Sequence, residues 1–229
     1  MFPDLLTDII DYQNDLFRNI RSPRKTIDCF DDLGDGGLDT QVAAAAEMLG
    51  HEPSHAAVIT RPFDYGVITY PFTHEPWLAS RFSSGQHYGV FYGTEELETT
   101  IIETVHHWRQ FILATYPDQD EDILSERRVV LVLCRGLLVD LRGKEEDYPD
   151  LLDQTDYTFT NLVGQYLYDQ GQNGLLVRSA RCGGTNAAIF AEKVLSNPRD
   201  HCYLTYRWNP VRDMHVRVER GVGEEWMQV

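Results

Sequence analysis

Apolar side chains at Leu5, Leu6, Ile9, Ile10, Leu16, Phe17 and Ile20 recur at helical spacing and predict an amphipathic helix over residues 5–20. DDLGDGGLD (31–39) mixes glycine with acid and reads as a loop, and the following TQVAAAAEMLG reads as an alanine-rich helix capped by Thr40 and stopped by Gly50. From about Ala56 the pattern changes to short β-type runs: AAVIT, GVITYPF, YGVFYG, VVLVLC, LLVDL, GLLVRSA, NAAIFAE, CYLTYRW and MHVRVE, punctuated by Gly, Pro and Asp. Two helices interrupt them. One runs from about Glu95 to Thr115, with Thr94 placed to cap it and Glu95 and Glu96 in the first turn; the other spans about Thr160 to Asp169. Strands outnumber helices without alternating strictly with them, so the expected class is α+β with mixed or antiparallel sheets. The expected organisation is an N-terminal helical extension, 1–55, followed by one domain, 56–229.

Composition narrows the partners. The 229 residues carry 20 Lys+Arg against 36 Asp+Glu, a net charge of -16, which repels phosphate backbones and anionic lipid. Direct nucleic-acid binding and membrane association are therefore not expected. No apolar run approaches the roughly 18 to 20 residues that cross a bilayer. Cys29, Cys134, Cys182 and Cys202 are scattered without a C-x-x-C pair or a signal peptide ahead of them, which predicts reduced thiols in a soluble cytoplasmic protein.

Candidate chemistry concentrates in two stretches. SRFSSGQHYGVFYGTEELETTIIETVHHW (80–108) places Arg81 before a turn, Tyr92 at a strand end and Glu103 inside a helix beside Ile101, Ile102 and Val105. A carboxylate among such neighbours needs a cation or hydrogen bonds to stay charged, and Arg81 is one candidate partner. The plain alternative is a solvated helix face on which Glu103 precedes His107 and Arg109. Zinc on Glu103, His106 and His107 is not expected, because adjacent histidines point about 100° apart on a helix and no H-E-x-x-H is present. GLLVRSARCGGTNAAIF (174–190) reads as strand, glycine turn and strand. It is either a hairpin in which Gly183 and Gly184 supply positive φ, or a cleft wall. In the cleft reading Ser179 lets a flat ligand approach, Arg178 or Arg181 lies near its phosphates, and Asn186 is a further polar group. G-x-S-x-G, G-x-G-x-x-G and a P-loop lysine are absent, so a hydrolase elbow, a Rossmann site and a phosphate loop have no support.

These two stretches together resemble the RES domain family, named for its arginine, glutamate and serine, over roughly Val58 to Trp208. The resemblance places the family's arginine at Arg81, its tyrosine at Tyr92, its glutamate at Glu103 and its serine at Ser179, with an earlier arginine at Arg61. It implies an ADP-ribosyltransferase-like fold and an enzyme that consumes NAD as substrate, not cofactor, by breaking the nicotinamide–ribose bond through hydrolysis or phosphorolysis. On this expectation Glu103, Arg81, Tyr92 and Ser179 are catalytic, and Arg61, Arg81, Tyr92, Ser179 and Asn186 contact NAD. Family members are commonly the toxin half of bacterial toxin–antitoxin pairs, so the implied partner is a cognate antitoxin with a helix-turn-helix domain; a homodimer is left open. Residue 101 is Ile, so the E-x-E pair of arginine-specific ADP-ribosyltransferases is missing. That departure favours glycohydrolase or phosphorylase action over transfer to arginine; the alternatives are protein mono-ADP-ribosylation and a catalytically silent protein-binding module.

Overall fold

The Val-, Ile- and Leu-rich runs between glycines and prolines become one eight-stranded sheet in a computed structural model, which describes residues 5–21, 62–73, 76–77, 79–221 and 223–229. In chain order the elements are β1 (Ile9–Arg21), α1 (Pro62–Thr73), β2 (Phe91–Thr94), α2 (Leu97–Thr115), β3 (Ile123–Asp140), α3 (Thr158–Asp169), β4 (Gly174–Arg178), β5 (Thr185–Ile189), β6 (Leu195–Trp208), β7 (Arg217–Glu219) and β8 (Glu225–Gln228). Short 3-10 turns at Pro149–Leu152 and Glu192–Val194 precede α3 and β6. The predicted α+β class is the observed one, with a sheet that is antiparallel except for the parallel β3–β4 pair.

The long strand β3 is the spine. It pairs with β1 from Ile9↔Val139 to Arg21↔Arg127, with β6 from Ile123↔Trp208 to Cys134↔Leu195, and with β4 at Val139↔Leu175 and Asp140↔Leu176. β1 also meets β2 at Phe17↔Thr94, so the pairings run β3–β1–β2–β5–β4 and back to β3 in a closed circuit. Closure removes exposed strand edges along that circuit. Strand alternation then sends successive side chains to different cores. Leu176, Ala187 and Ile189 join Tyr12, Leu16, Phe91, Val132 and the α1 residues Val67 and Ile68. Leu175, Val177 and Ala188 face the opposite way, onto Val163 and Leu167 of α3. A third core packs Leu97, Ile101, Val105 and Ile112 of α2 on Leu204, Tyr206 and Trp208 of β6 and Val218 of β7.

This third core positions the candidate chemistry. Each fully buried apolar side chain on α2, such as Ile101, contributes about 1.5–3 kcal/mol, enough to fix the helix's rotation. With Leu97, Ile101 and Val105 facing the sheet, Glu96, Thr99 and Glu103 share another face by their i, i+3, i+4 spacing.

Three expectations are corrected. Residues 5–20 do not form a helix: most of the stretch is β1, because pairing with β3 at every position satisfies its backbone, and Ile10, Tyr12, Leu16 and Ile20 turn inward at even spacing. That period of two was present in the sequence beside the helical one. GVITYPF is not a strand but the body of α1; burial of Val67 and Ile68 in the first core outweighs the strand preference of their branched side chains. VVLVLC and LLVDL are not separate strands either, since β3 runs through Arg135 and Gly136 without a break. The predicted loop 31–39, the helix from Thr40 to Gly50, the AAVIT run, Cys29, Arg61 and the 55/56 boundary lie outside the described residues. Cys134, Cys182 and Cys202 are free thiols, and among the described residues no helix is long and apolar enough to cross a membrane.

Candidate active site

α2 starts against the β4–β5 turn. Its N-cap is Glu96, not the expected Thr94, whose hydroxyl donates to the Glu96 carbonyl at 2.7 Å. The Glu96 carboxylate instead crosses to the turn, accepting from the Thr185 N–H at 3.1 Å and from the Thr99 hydroxyl at 2.9 Å. The turn comes so close that a Cβ on Gly184 would lie 1.8 Å from Thr99 Oγ1 and 2.6 Å from Glu96 Oε2. Neither Gly183 nor Gly184 adopts positive φ, which corrects the hairpin expectation: Gly184 is required by close approach to α2, not by backbone conformation.

This docking brings the second sequence stretch onto Glu103. Ser179 Oγ and Asn186 Nδ2 both donate to Glu103 Oε1 at 2.7 Å, and Arg181 NH1 lies 3.3 Å from Glu103 Oε2. Ser179 is itself oriented, its hydroxyl accepting from the backbone N–H of Arg181 at 3.1 Å and of Cys182 at 3.3 Å. The Arg181 and Glu103 side chains are only 6% and 15% exposed, so the ion pair is largely withdrawn from solvent. The ion partner expected at Arg81 is therefore Arg181, held there because the turn after β4 folds over α2.

Arg81 forms the neighbouring wall. Its guanidinium lies over the Tyr157 ring, 4.7 Å from the centroid, and NH1 donates to the Leu151 carbonyl at 3.0 Å. Burial is the main cause that lowers the Arg81 pKa; Arg181 nearby pushes the same way, while Glu103 and Tyr157 oppose. Tyr157 joins the two arginines, since Arg181 NH2 reaches its hydroxyl at 3.3 Å. Tyr92 holds this wall in place. Its hydroxyl accepts from the Phe82 N–H at 3.0 Å and shares a 2.9 Å hydrogen bond with the Ser80 hydroxyl, holding the residues on both sides of Arg81. Burial pushes the phenol up to about 12 against those hydrogen bonds. The Phe82 backbone in turn rests on α3 where a Cβ at Gly164 would meet its carbonyl oxygen at 2.1 Å. Arg178, the other cation weighed for phosphates, is exposed and points to Glu145 at 3.9 Å.

Three polar atoms around this cluster are buried and lack a hydrogen-bond partner: Arg81 NH2, Arg181 Nε and Asn186 Oδ1. Buried polar groups are seldom left so, and two donors on cations beside one amide acceptor suit a ligand that is anionic at one end and carries hydroxyls or an amide at the other. His106 and His107 sit at the rim, where burial and then Arg181 lower their pKa values. The sequence offers Arg181 only as a phosphate ligand and Glu96 only as a first-turn acid of the helix, and does not single out Tyr157. Arg181 was detectable from its position two residues after Ser179; nothing local marked Tyr157.

A helix-borne carboxylate thus meets a serine, an amide and an arginine across a strand turn, with a second arginine on the neighbouring wall. The RES domain family model matches residues 41–209, and the chain belongs to the RES domain family. Among solved structures, the crystal structure of the M. tuberculosis MbcT–MbcA toxin–antitoxin complex is similar at 11% identity over 89% of this chain and 88% of that chain, with a TM-score of 0.46. A comparison with curated proteins returns no match.

Proposed function

We propose that the protein cleaves the nicotinamide–ribose bond of NAD, and that Glu103 is the group around which the reaction is built. The observation that carries this reading is the Glu103 carboxylate held by Ser179, Asn186 and Arg181 beside buried, unpartnered polar atoms on Arg81, Arg181 and Asn186. In the reaction the bond between ribose C1′ and the pyridinium nitrogen breaks and its electron pair neutralises that nitrogen. Water or phosphate then bonds to C1′ through oxygen; with water the displaced proton passes to solvent. Positive charge develops on the ribose as nicotinamide leaves, and a carboxylate fixed beside C1′ stabilises it without having to reorganise. Ser179 and Asn186 set the carboxylate's orientation. Arg81 and Arg181 supply guanidinium donors for the diphosphate, and Tyr92 keeps Arg81 in place through the residues on either side of it.

Transfer of ADP-ribose to a protein arginine is the weaker alternative, because Ile101, where a second acid would stand, is fully buried in the core of α2. A silent binding module gives no reason for the unpartnered arginine donors. The family resemblance adds a partner to the proposal: an antitoxin with a helix-turn-helix domain that restrains this activity by covering the site. The deciding experiment incubates the purified protein with NAD, with and without phosphate, and follows free nicotinamide. Nicotinamide release by wild type that is lost in Glu103→Gln supports the reading; no release, or equal release by the variant, removes it.

A further inference from the structure

We infer that Arg181 is a shared counterion for which Glu103 and the substrate's diphosphate compete, so that binding the phosphates uncovers the carboxylate that acts on the ribose. The inference rests on the NAD reading and adds to it a specificity-determining residue that the family pattern does not supply.

Four observations meet here. Arg181 NH1 is spent on Glu103, its NH2 reaches Tyr157 and, at 3.5 Å, the Gln154 carbonyl, while its Nε is buried with nothing to donate to. Arg81, stacked on the same Tyr157 ring, has a second idle donor, NH2. The two guanidiniums are close enough for Arg181 to disfavour the charge on Arg81, an arrangement that an anion between them would relieve. Finally, Glu103 is only 15% exposed, with Arg181 on Oε2 and Ser179 and Asn186 on Oε1, so a ribose approaching Oε2 meets the Arg181 guanidinium first.

A diphosphate bridging the idle donors gives Arg181 a partner of higher charge than a carboxylate, and its fork geometry suits phosphate oxygens. Drawn toward the anion, Arg181 releases Glu103 Oε2, while Ser179 and Asn186 still hold Oε1 in place. The carboxylate thus loses its counterion when the bound substrate needs it. Cofactor fragments lacking the diphosphate leave the site closed, which makes the nucleotide end a condition for cleavage at the other end.

The test is a double-mutant cycle on ADP affinity, measured by calorimetry on the full chain, with Glu103→Gln, Arg181→Gln and the double variant. Competition predicts that Arg181→Gln weakens ADP at least tenfold and that Glu103→Gln tightens it several-fold in the wild-type background. In the Arg181→Gln background the second change alters affinity by less than twofold. Arg181→Lys, which retains charge without the fork, falls between wild type and Arg181→Gln and shows that the loss is not misfolding. The same gain from Glu103→Gln in both backgrounds would mean simple charge repulsion and would overturn the inference, as would ADP affinity indifferent to Arg181 or absent altogether. The cycle needs no turnover, so it fails or succeeds separately from nicotinamide release. Where release occurs, Arg181→Gln is expected to raise KM for NAD more than tenfold with a smaller change in kcat.

Discussion

Glu103 and Thr104 are neighbours on α2, yet they enter polar clusters of opposite kind. Thr104 belongs to a network completed within the protein: Asn19 Nδ2 donates to Thr104 Oγ1 at 3.1 Å and to the Tyr206 hydroxyl at 2.7 Å, and Asn19 Oδ1 accepts from Arg127 Nε at 3.0 Å. None of these four side chains has a buried polar atom without a partner. The Glu103 cluster leaves such atoms on Arg81, Arg181 and Asn186. Both clusters are assembled from distant parts of the chain, so proximity alone does not separate them. What separates them is completion: a satisfied network ties α2 to β1, β3 and β6, whereas an unsatisfied one keeps donors available for something that arrives from outside.

The sharpest way to break the comparison is to remove a polar group from each cluster and see which property fails. Glu103→Gln retains the size and one hydrogen-bonding oxygen of the side chain, so nicotinamide release should fall by about a hundredfold or more while circular dichroism and cooperative unfolding persist. Asn19→Leu fills much the same space but takes the acceptor from Arg127 Nε in a buried site and one donor each from Thr104 and Tyr206, which still bond each other at 2.8 Å. Urea unfolding should show a loss of about 2–3 kcal/mol, with kcat per folded molecule within about twofold of wild type. If Asn19→Leu instead abolishes release without lowering stability, the division between anchor and site is wrong.

How much of this was legible in the sequence follows the same division. Strands β3 to β7 were visible because apolar runs are bounded by Gly, Pro and Asp, and α2 because the acids Glu95 and Glu96 mark a helix start. β1 was misread because Leu5, Leu6, Ile9, Ile10, Leu16, Phe17 and Ile20 fit a helix too, and only pairing with a strand more than a hundred residues away chooses between the two periods. Glu103 was legible as an acid among isoleucines that needed partners, and Ser179 and Asn186 as polar residues in apolar strands. Which arginine meets the carboxylate was not legible. That choice depends on Gly184 letting the turn settle on Thr99, and on Tyr92 drawing the Arg81 backbone away toward Leu151. The Asn19 network left no local trace, since its members come from three strands and a helix.

A smaller effect probes the wall of the site instead of its centre. Tyr92→Phe retains the ring in the core and removes only the hydroxyl that receives the Phe82 N–H and bonds Ser80. The expected cost is about 1 kcal/mol in stability by thermal unfolding, as for one or two buried hydrogen bonds. Arg81 is then less firmly placed, so KM for NAD should rise several-fold while kcat changes less. A fall in kcat alone would mean that the hydroxyl acts on the reacting ribose, not through Arg81.

The smallest effect is a pH dependence contributed by the unfinished cluster. His106 and His107 lie beside Arg181, and burial first, then that guanidinium, holds both below their ordinary value of 6.5 in the folded state. The unfolded chain therefore binds protons at a pH where the folded protein still resists them. Stability rises with pH wherever the unfolded state binds more protons, so this contribution is retained near neutrality and declines as pH falls through about 6.5 toward the lower folded values. The Asn19 network consists of an amide, a hydroxyl, a phenol and a guanidinium and has no comparable switch in that window. Unfolding free energies measured between pH 7.5 and about 5.5 should decline with acidification in wild type. The decline should be shallower in a variant carrying His106→Gln and His107→Gln, and unchanged in slope by Thr104→Val. An equal slope in all three proteins would place the titrating groups elsewhere and remove the histidines from the account of the site; a shallower slope only in the histidine variant ties the pH response to the cluster that still has donors to spare.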